Sequence, residues 1–424
     1  MKAEDMILVS VDDHLVEPAT MFDEHTPARW KGRFPTVVRN EAGDDVWTFE
    51  GAVIPNIGLN AVAGRPKEEY GIEPTSFEEM RPGCWDLTER VKDMDAAGVL
   101  ASMNFPSFPG FSGRLFAACS DKQLALDVVR AYNDWTVDEW CAGAPGRFIP
   151  MGLPVLWDAG LAADEVRRLA AKGVHSVTFT ENPFTLGYAS LHDESWDPFW
   201  AALADTGTVL SIHLGSSGQL AVTSPDAPMD VMITLQPMNI CAVAADLMWS
   251  RVLREFPGIR IALSEGGIGW IPYFLDRLDR TYDMHHRWTG QDFGDRLPSE
   301  VFREHFLTCF ISDPIGVKLR HDIGIDNIAW ELDYPHSDSS WPTPAEQLES
   351  VFEGVSDDDV DRITHLNAMR WYQFDPFTHI PREQATVGSL RARVAGHDTS
   401  ERNYLTGRRQ KQVGIELGKL TPTA

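Results

Sequence analysis

Basic residues are the scarce charge here. Lys and Arg total 37 against 63 Asp and Glu in 424 residues, a formal net charge of −26. That balance argues against nucleic acid and anionic membrane as partners, since both call for a basic surface. Cysteine is also sparse. The five residues, Cys84, Cys119, Cys141, Cys241 and Cys309, are scattered and form no CxxC pair. A disulfide framework and a zinc knuckle are both excluded, and reduced thiols in a cytoplasmic protein are expected. Long apolar runs are missing too. The opening "MKAEDMILVSVDDH" carries an apolar stretch too short for a signal peptide, and no run is expected to span a membrane. Hydrophobic residues nevertheless make up 43%, enough for a large core.

What is present is a rhythm. Strand-like runs at 5–13, 99–107, 147–155, 174–182, 208–218, 259–267, 306–314 and 327–336 alternate with helical segments. The helices are expected over 87–98 (with a threonine cap), 121–146, 158–173, 196–207, 238–258, 270–288 and 360–372. Several strands are continuously apolar, as a parallel sheet buried on both faces requires. The pattern predicts an α/β fold, a (β/α)8 TIM-type barrel over residues 1–380. A Gly-, Pro- and Trp-rich insertion after strand one, about 30–85, includes a hairpin at 32–51. A polar extension follows at 381–424, to pack on a neighbouring subunit or on the outside of the barrel.

Barrel chemistry sits at the C-terminal ends of the strands. Strand one ends in Asp12, Asp13 and His14, strand four in Glu181, strand five in His213, strand six in Glu265 and strand eight in Asp333, with His336 just beyond. Side chains at i and i+2 share a face, so Asp12 and His14 point together and Asp13 points away. Four carboxylates (Asp12, Glu181, Glu265 and Asp333) in one ring repel unless a cation lies between them, and a divalent metal with His14 and His213 is the simplest solution. Each residue also has a plainer explanation. Glu181 precedes Asn182-Pro183 and serves equally as a turn acid. Glu265 in "EGG" serves equally as a helix-capping carboxylate. His336 and Asp338 are placed as groups that orient Asp333 or touch substrate, or else as a solvated loop. His192 is expected in a loop within reach of the mouth. His285 and His286 diverge on a helix and share no metal.

The segments "VSVDDHLVEP", "LSIHLGSSG", "SEGGIGWIP", "LDYPHSDSSWP" and "NAMRWY", in that order, resemble the amidohydrolase superfamily, in particular its aminocarboxymuconate-semialdehyde-decarboxylase-like branch. The resemblance runs over about residues 5–372. Asp12-x-His14 stands where that family has His-x-His or Glu-x-His. His213 matches its strand-five His and Asp333 its strand-eight Asp, while Glu265 replaces its strand-six His. The resemblance implies Glu181 as a carboxylate bridge between two ions, one on Asp12, His14 and Asp333 and the other on His213 and Glu265. The oxygen-rich set suits Fe, Mn or Zn, with Fe and Mn favoured.

The expected function is therefore a two-metal hydrolase. Metal-activated water would cleave an ester, amide or thioester such as an acyl-CoA of secondary metabolism, with Asp333 moving the proton and His336 assisting. The competing expectation is a one-metal, non-oxidative decarboxylase of an aromatic or dienoic acid. It makes Glu265 and Glu181 non-ligands and needs a cation for the substrate carboxylate, either Arg114 or Arg320. A non-catalytic ligand-binding barrel ranks third. A small-molecule substrate and a homodimer are the expected partners.

Overall fold

The computed structural model describes residues 1–404. Its chain opens with β1 (Leu8–Leu15) and leaves the barrel at once. The insertion folds as an antiparallel sheet of β2 (Thr36–Arg39), β3 (Asp45–Phe49) and β4 (Ala52–Ile54), so the expected hairpin gains a third strand. The barrel resumes with β5 (Val99–Pro106), β6 (Phe148–Ile149), β7 (Ser176–Phe179), β8 (Val209–His213), β9 (Arg260–Ser264), β10 (Phe306–Phe310) and β11 (Ile328–Trp330).

These strands form two parallel runs, β1-β5-β6 and β7-β8-β9-β10-β11. One seam is closed by the parallel bridge Gly152 to Val177. The other is closed by Asp333 N donating to Asp12 O (2.8 Å) and His14 N donating to Tyr334 O (2.6 Å). The eight-stranded α/β barrel is thus complete, and its last seam is made by residues of the polar strand ends. Strand three is shorter than its sequence suggests, because Pro150 lacks the N–H needed to continue a ladder.

Val9, Val11, Met103, Ile149, Val209, Leu307 and Ala329 fill the barrel interior. A larger apolar shell lies between strands and helices. The helices begin at side-chain caps: Asp86 accepts from Glu89 N, Asp121 from Leu124 N and Asp158 from Leu161 N. The cap of the first helix (Leu87–Ala97) is therefore Asp86, where a threonine was expected, and that helix stops at left-handed Gly98. The segment Met229–Trp249 is long and apolar enough to cross a membrane by length and composition alone, against expectation. It is two helices, Met229–Leu235 and Met238–Trp249, and the second packs Ile240, Ala244 and Leu247 into the barrel shell.

The extension lies on the barrel itself as far as it is described. Val387 N donates to Met6 O at 2.9 Å, and Ala385 and Leu390 are buried beneath the strands' N-terminal ends. Further on, His397 contacts Asp93 at 2.7 Å and Arg402 N donates to Gly64 O at 2.8 Å. The remainder of the expected extension, 405–424, lies outside the described residues.

Candidate metal centre and active site

A β-bulge between Ser10 and Asp13 shapes the end of β1. Bulges re-aim side chains at barrel rims. Here Asp12 and His14 meet, with His14 Nε2 at 3.6 Å from Asp12 Oδ1. Asp13 turns the other way and accepts from Ser10 Oγ (3.0 Å) and Tyr334 N (3.2 Å). From β8, His213 Nε2 comes within 3.4 Å of Asp12 Oδ2, 3.4 Å of Glu265 Oε2 and 3.1 Å of His14 Nε2. From the end of β11, Asp333 Oδ1 lies 3.3 Å from His14 Nε2 and 2.9 Å from His336 Nδ1. The His336 ring stacks on His14 with centroids 3.7 Å apart. Phe111 and Phe105 wall the site, with ring centroids 4.1 Å and 4.7 Å from His213.

Two backbone positions aim the carboxylates. Glu265 (φ 57°) and Asp333 (φ 58°) both hold left-handed conformations that non-glycine residues rarely adopt. Such strain persists where surroundings over-determine it, most often at functional sites. The surroundings are visible here. Glu265 N donates to Glu331 Oε2 (3.2 Å), and Asp333 N is held by Asp12 O.

The electrostatics fit a cation. Burial, compounded by their carboxylate neighbours, pushes Asp12 and Glu265 up; burial does the same to Asp333, reinforced by Asp338 and Glu331. Burial also drives the imidazoles down, His213 to about 3 and His14 well below its usual range, so both are neutral. Both carboxylate oxygens of Asp12 and of Asp333 are buried without a hydrogen-bond partner, as is His14 Nδ1. Unsatisfied buried acids of this kind are costly unless a cation completes them. Two groups could hold an ion, His14-Glu265-Asp333-His336 and Asp12-His14-His213, and they share His14.

The other expected residues fall elsewhere. Glu181 is not in either group: its carboxylate accepts from Gly215 N (3.0 Å), Ser217 N (3.1 Å) and Ser217 Oγ (2.6 Å), pinning the loop after β8. The Glu181 carboxylate is thus engaged by the loop after β8, while its own turn is capped by Asn182, whose Oδ1 accepts from Phe184 N. His192 is half exposed and pairs with Asp246 at 2.7 Å away from the cluster. Asp338 is exposed on the loop beyond His336. Arg320 is tied to Asp359 at 2.8 Å.

Glu331, one of four ionisable residues in "WELDYPHSD", was given no role by sequence reasoning. It is fully buried, accepts the Cys309 thiol at 2.7 Å and is pushed up to about 7 by burial. Its parity with Asp333 (i, i+2) was the available signal. Glu17 was missed as well. It accepts from Ser107 N (2.9 Å), Phe108 N (2.8 Å) and Tyr132 Oη (2.8 Å), fastening the loop after β5 to the end of β1. The insertion closes over the same region: Val62 N (2.9 Å) and Ala63 N (3.0 Å) donate to Pro335 O, beside His336.

Residues 23–374 match the family model described as amidohydrolase. Gamma-resorcylate decarboxylase of Rhodococcus jostii (strain RHA1) is 24% identical over 327 residues, 71% of this chain and 92% of the relative. An amidohydrolase from Mycobacterium avium subsp. paratuberculosis K-10 superposes with a TM-score of 0.68 at 22% identity, covering 86% of this chain and 99% of that one. A 5-carboxyvanillate decarboxylase of Novosphingobium aromaticivorans DSM 12444, complexed with manganese and 4-hydroxy-3-methoxy-5-nitrobenzoic acid, superposes at 0.58 with 19% identity, covering 87% and 96%. These relatives overturn the expectation of a hydrolase, since those with a stated reaction are decarboxylases. The acyl-CoA thioesterase, the paired ions and the preference for iron find no support among them.

Proposed function

The chain belongs to the amidohydrolase family, and on that premise we propose that it is a metal-dependent, non-oxidative decarboxylase of a hydroxylated aromatic carboxylic acid. The observation that carries this is the convergence of two neutral imidazoles, two buried carboxylates (Asp12 and Asp333) and the partly buried Glu265 at the C-terminal end of a barrel whose relatives release carbon dioxide. One divalent ion is proposed, manganese or zinc, held by Asp12, His14, His213 and Asp333, with Glu265 and His336 beside it. Sharing of His14 by both ligand groups and the engagement of Glu181 elsewhere favour one ion over two.

When bound, the ion supplies positive charge that holds the substrate's carboxylate and neighbouring hydroxyl. The residues supply the rest. Asp333, 3.3 Å from His14 Nε2 and 2.9 Å from His336 Nδ1, is the group that would deliver a proton from a carboxyl oxygen to the ring carbon that bears the carboxylate. The bond from that carbon to the carboxylate then breaks, its electron pair stays with the ring, and carbon dioxide leaves. His336, 2.9 Å from Asp333 Oδ1, orients the acid and returns a proton from solvent. Its ring lies within 4.8 Å of the Glu265 carboxylate, so an imidazole stands beside the acid at the end of strand six. Phe111 and Phe105 offer apolar faces to an aromatic ring.

The test is to load the protein with Mn or Zn and incubate it with a panel of hydroxybenzoic acids, following carbon dioxide and the decarboxylated phenol. Stoichiometric release from at least one acid is expected, and it should vanish in Asp333→Asn. A protein that binds the metal yet releases no carbon dioxide from any acid in the panel contradicts the assignment.

A further inference from the structure

Arg90 belongs to the first helix (Leu87–Ala97), in the outer ring, yet it is fully buried. Its guanidinium ties three segments together. Nε donates to Gly83 O (2.6 Å) and Nη2 to Cys84 O (3.4 Å), where the insertion ends. Nη2 also donates to the carbonyl of His14, at the end of β1. The guanidinium carbon lies 4.5 Å from the centroid of the Tyr334 ring, and Tyr334 directly follows Asp333. Tyr334 is in turn held at every polar atom. Its N donates to Asp13 Oδ1 (3.2 Å), its O accepts from His14 N (2.6 Å) and its Oη donates to Asp93 Oδ2 (2.7 Å). The side chains of His14 and Asp333 meet at 3.3 Å, and their backbones are joined through Arg90 and Tyr334.

Burying a guanidinium is costly, and Arg90 Nη1 has no hydrogen-bond partner among the described residues. An apolar side chain of similar length would fill the same volume without that cost. It could not hold the His14 carbonyl and lie on the Tyr334 face together, which takes a flat, charged fork. We propose that Arg90 is a positioning residue for the metal site. It fixes His14 and Asp333 relative to one another by clasping the carbonyl of the first and the ring that follows the second. This rests on the metal site proposed above and on no assumption about the reaction. Groups that orient metal ligands from outside the coordination sphere set affinity through the ligands' geometry. Arg147 supplies the contrast. It is as deeply buried, but it donates to Leu100 O (2.6 Å) and Val99 O (3.0 Å) and pairs with Asp95 (2.7 Å) at the start of β5, the opposite end of the strand from the site.

The test compares the unsubstituted chain with Arg90→Met, Arg90→Lys and Arg147→Met. Mn affinity is read by competition with a chelator, ligand geometry by the visible absorption of the Co-loaded protein, and metal-free stability by urea unfolding. Arg90→Met is expected to weaken Mn binding about 10–100-fold and to shift the cobalt band. Arg90→Lys, which keeps the charge and one donating head, should lose less but still about threefold or more. Arg147→Met should unfold at lower urea while its Mn affinity stays within about twofold. Mn affinity within about twofold and an unshifted cobalt band in both Arg90 variants overturn the proposal, as does an equal loss of affinity in Arg147→Met. Should Arg90→Met fail to fold, Arg90→Lys decides by the same two readouts. An unsubstituted chain that takes up no Mn overturns the metal site together with this inference, whereas equal affinity across all the variants overturns this inference alone.

Discussion

The Nε2 atoms of His14 and His213 face each other 3.1 Å apart in a fully buried site. His213 Nδ1 lies 2.5 Å from the Leu214 carbonyl, an acceptor, so its proton is on Nδ1 and its Nε2 lone pair points at His14. With Asp12 and Asp333 flanking the pair, a cation shared by all four side chains relieves the arrangement. Elemental analysis of protein purified without chelator should therefore find about one Mn or Zn per chain. Stripping it should lower the melting temperature by several degrees, restored on reloading, since an ion present at 100–1,000 times its Kd stabilises by about 3–4 kcal/mol. Two ions per chain would contradict the single-ion site.

Asp333→Asn tests the proton carrier without disturbing the backbone. Asparagine tolerates the left-handed conformation that Asp333 holds (φ 58°). The metal-free variant should melt close to the metal-free unsubstituted protein, while kcat under metal loading falls by about 10³-fold or more, as loss of a general acid together with a ligand implies. Steady-state kinetics and calorimetry together check it.

Glu331 should matter without touching substrate. Its carboxylate takes the backbone N–H of Glu265 and the thiol of Cys309, so Glu331→Leu leaves the strained Glu265 unsupported. Expected are a loss of about 1–3 kcal/mol of stability and a metal affinity weakened about 10–100-fold. Glu331→Gln, which keeps an acceptor for the Glu265 amide, should restore most of the affinity.

Asp93 holds the strand-eight loop from outside the barrel. It pairs with Arg81 (2.7 Å), accepts from Tyr334 Oη (2.7 Å) and meets His397 of the extension. Asp93→Ala strands a buried guanidinium and should cost about 3–5 kcal/mol, read by denaturant unfolding. The double variant Asp93→Leu with Arg81→Met should recover much of that loss.

Stability should fall on the acid side partly through His365, which is buried beside Phe377 and Arg382. Burial, with Arg382 close by, lowers it from 6.5 to about 3. A depressed imidazole contributes stability that is present above pH 6.5 and is lost as the pH falls from there toward 3. His365→Gln should therefore show a shallower decline of melting temperature between pH 6.5 and 4. An unchanged slope would mean that His365 is already charged in the folded state.

The sequence by itself determined the barrel and the strand-end side chains, Asp12, His14, His213, Glu265 and Asp333, that the fold brings together. Eight apolar runs ending in polar residues can bury themselves only as parallel strands under helices, and period-two alternation sets Asp12 beside His14. His213 and Asp333 followed from their places at strand ends. Tertiary structure decided the rest, because loops return to places that local pattern does not encode. Glu181 was drawn off by the amides of Gly215 and Ser217 in the loop after the next strand, and His192 was carried to the surface beside Asp246. His336 reached His14 because the insertion clamps Pro335. Arg114 and Arg320 carry the same charge on the same side chain. Among the described residues one has no ionic partner and the other is paired with Asp359, since what an ionic group can do depends on which groups the fold brings within reach of it.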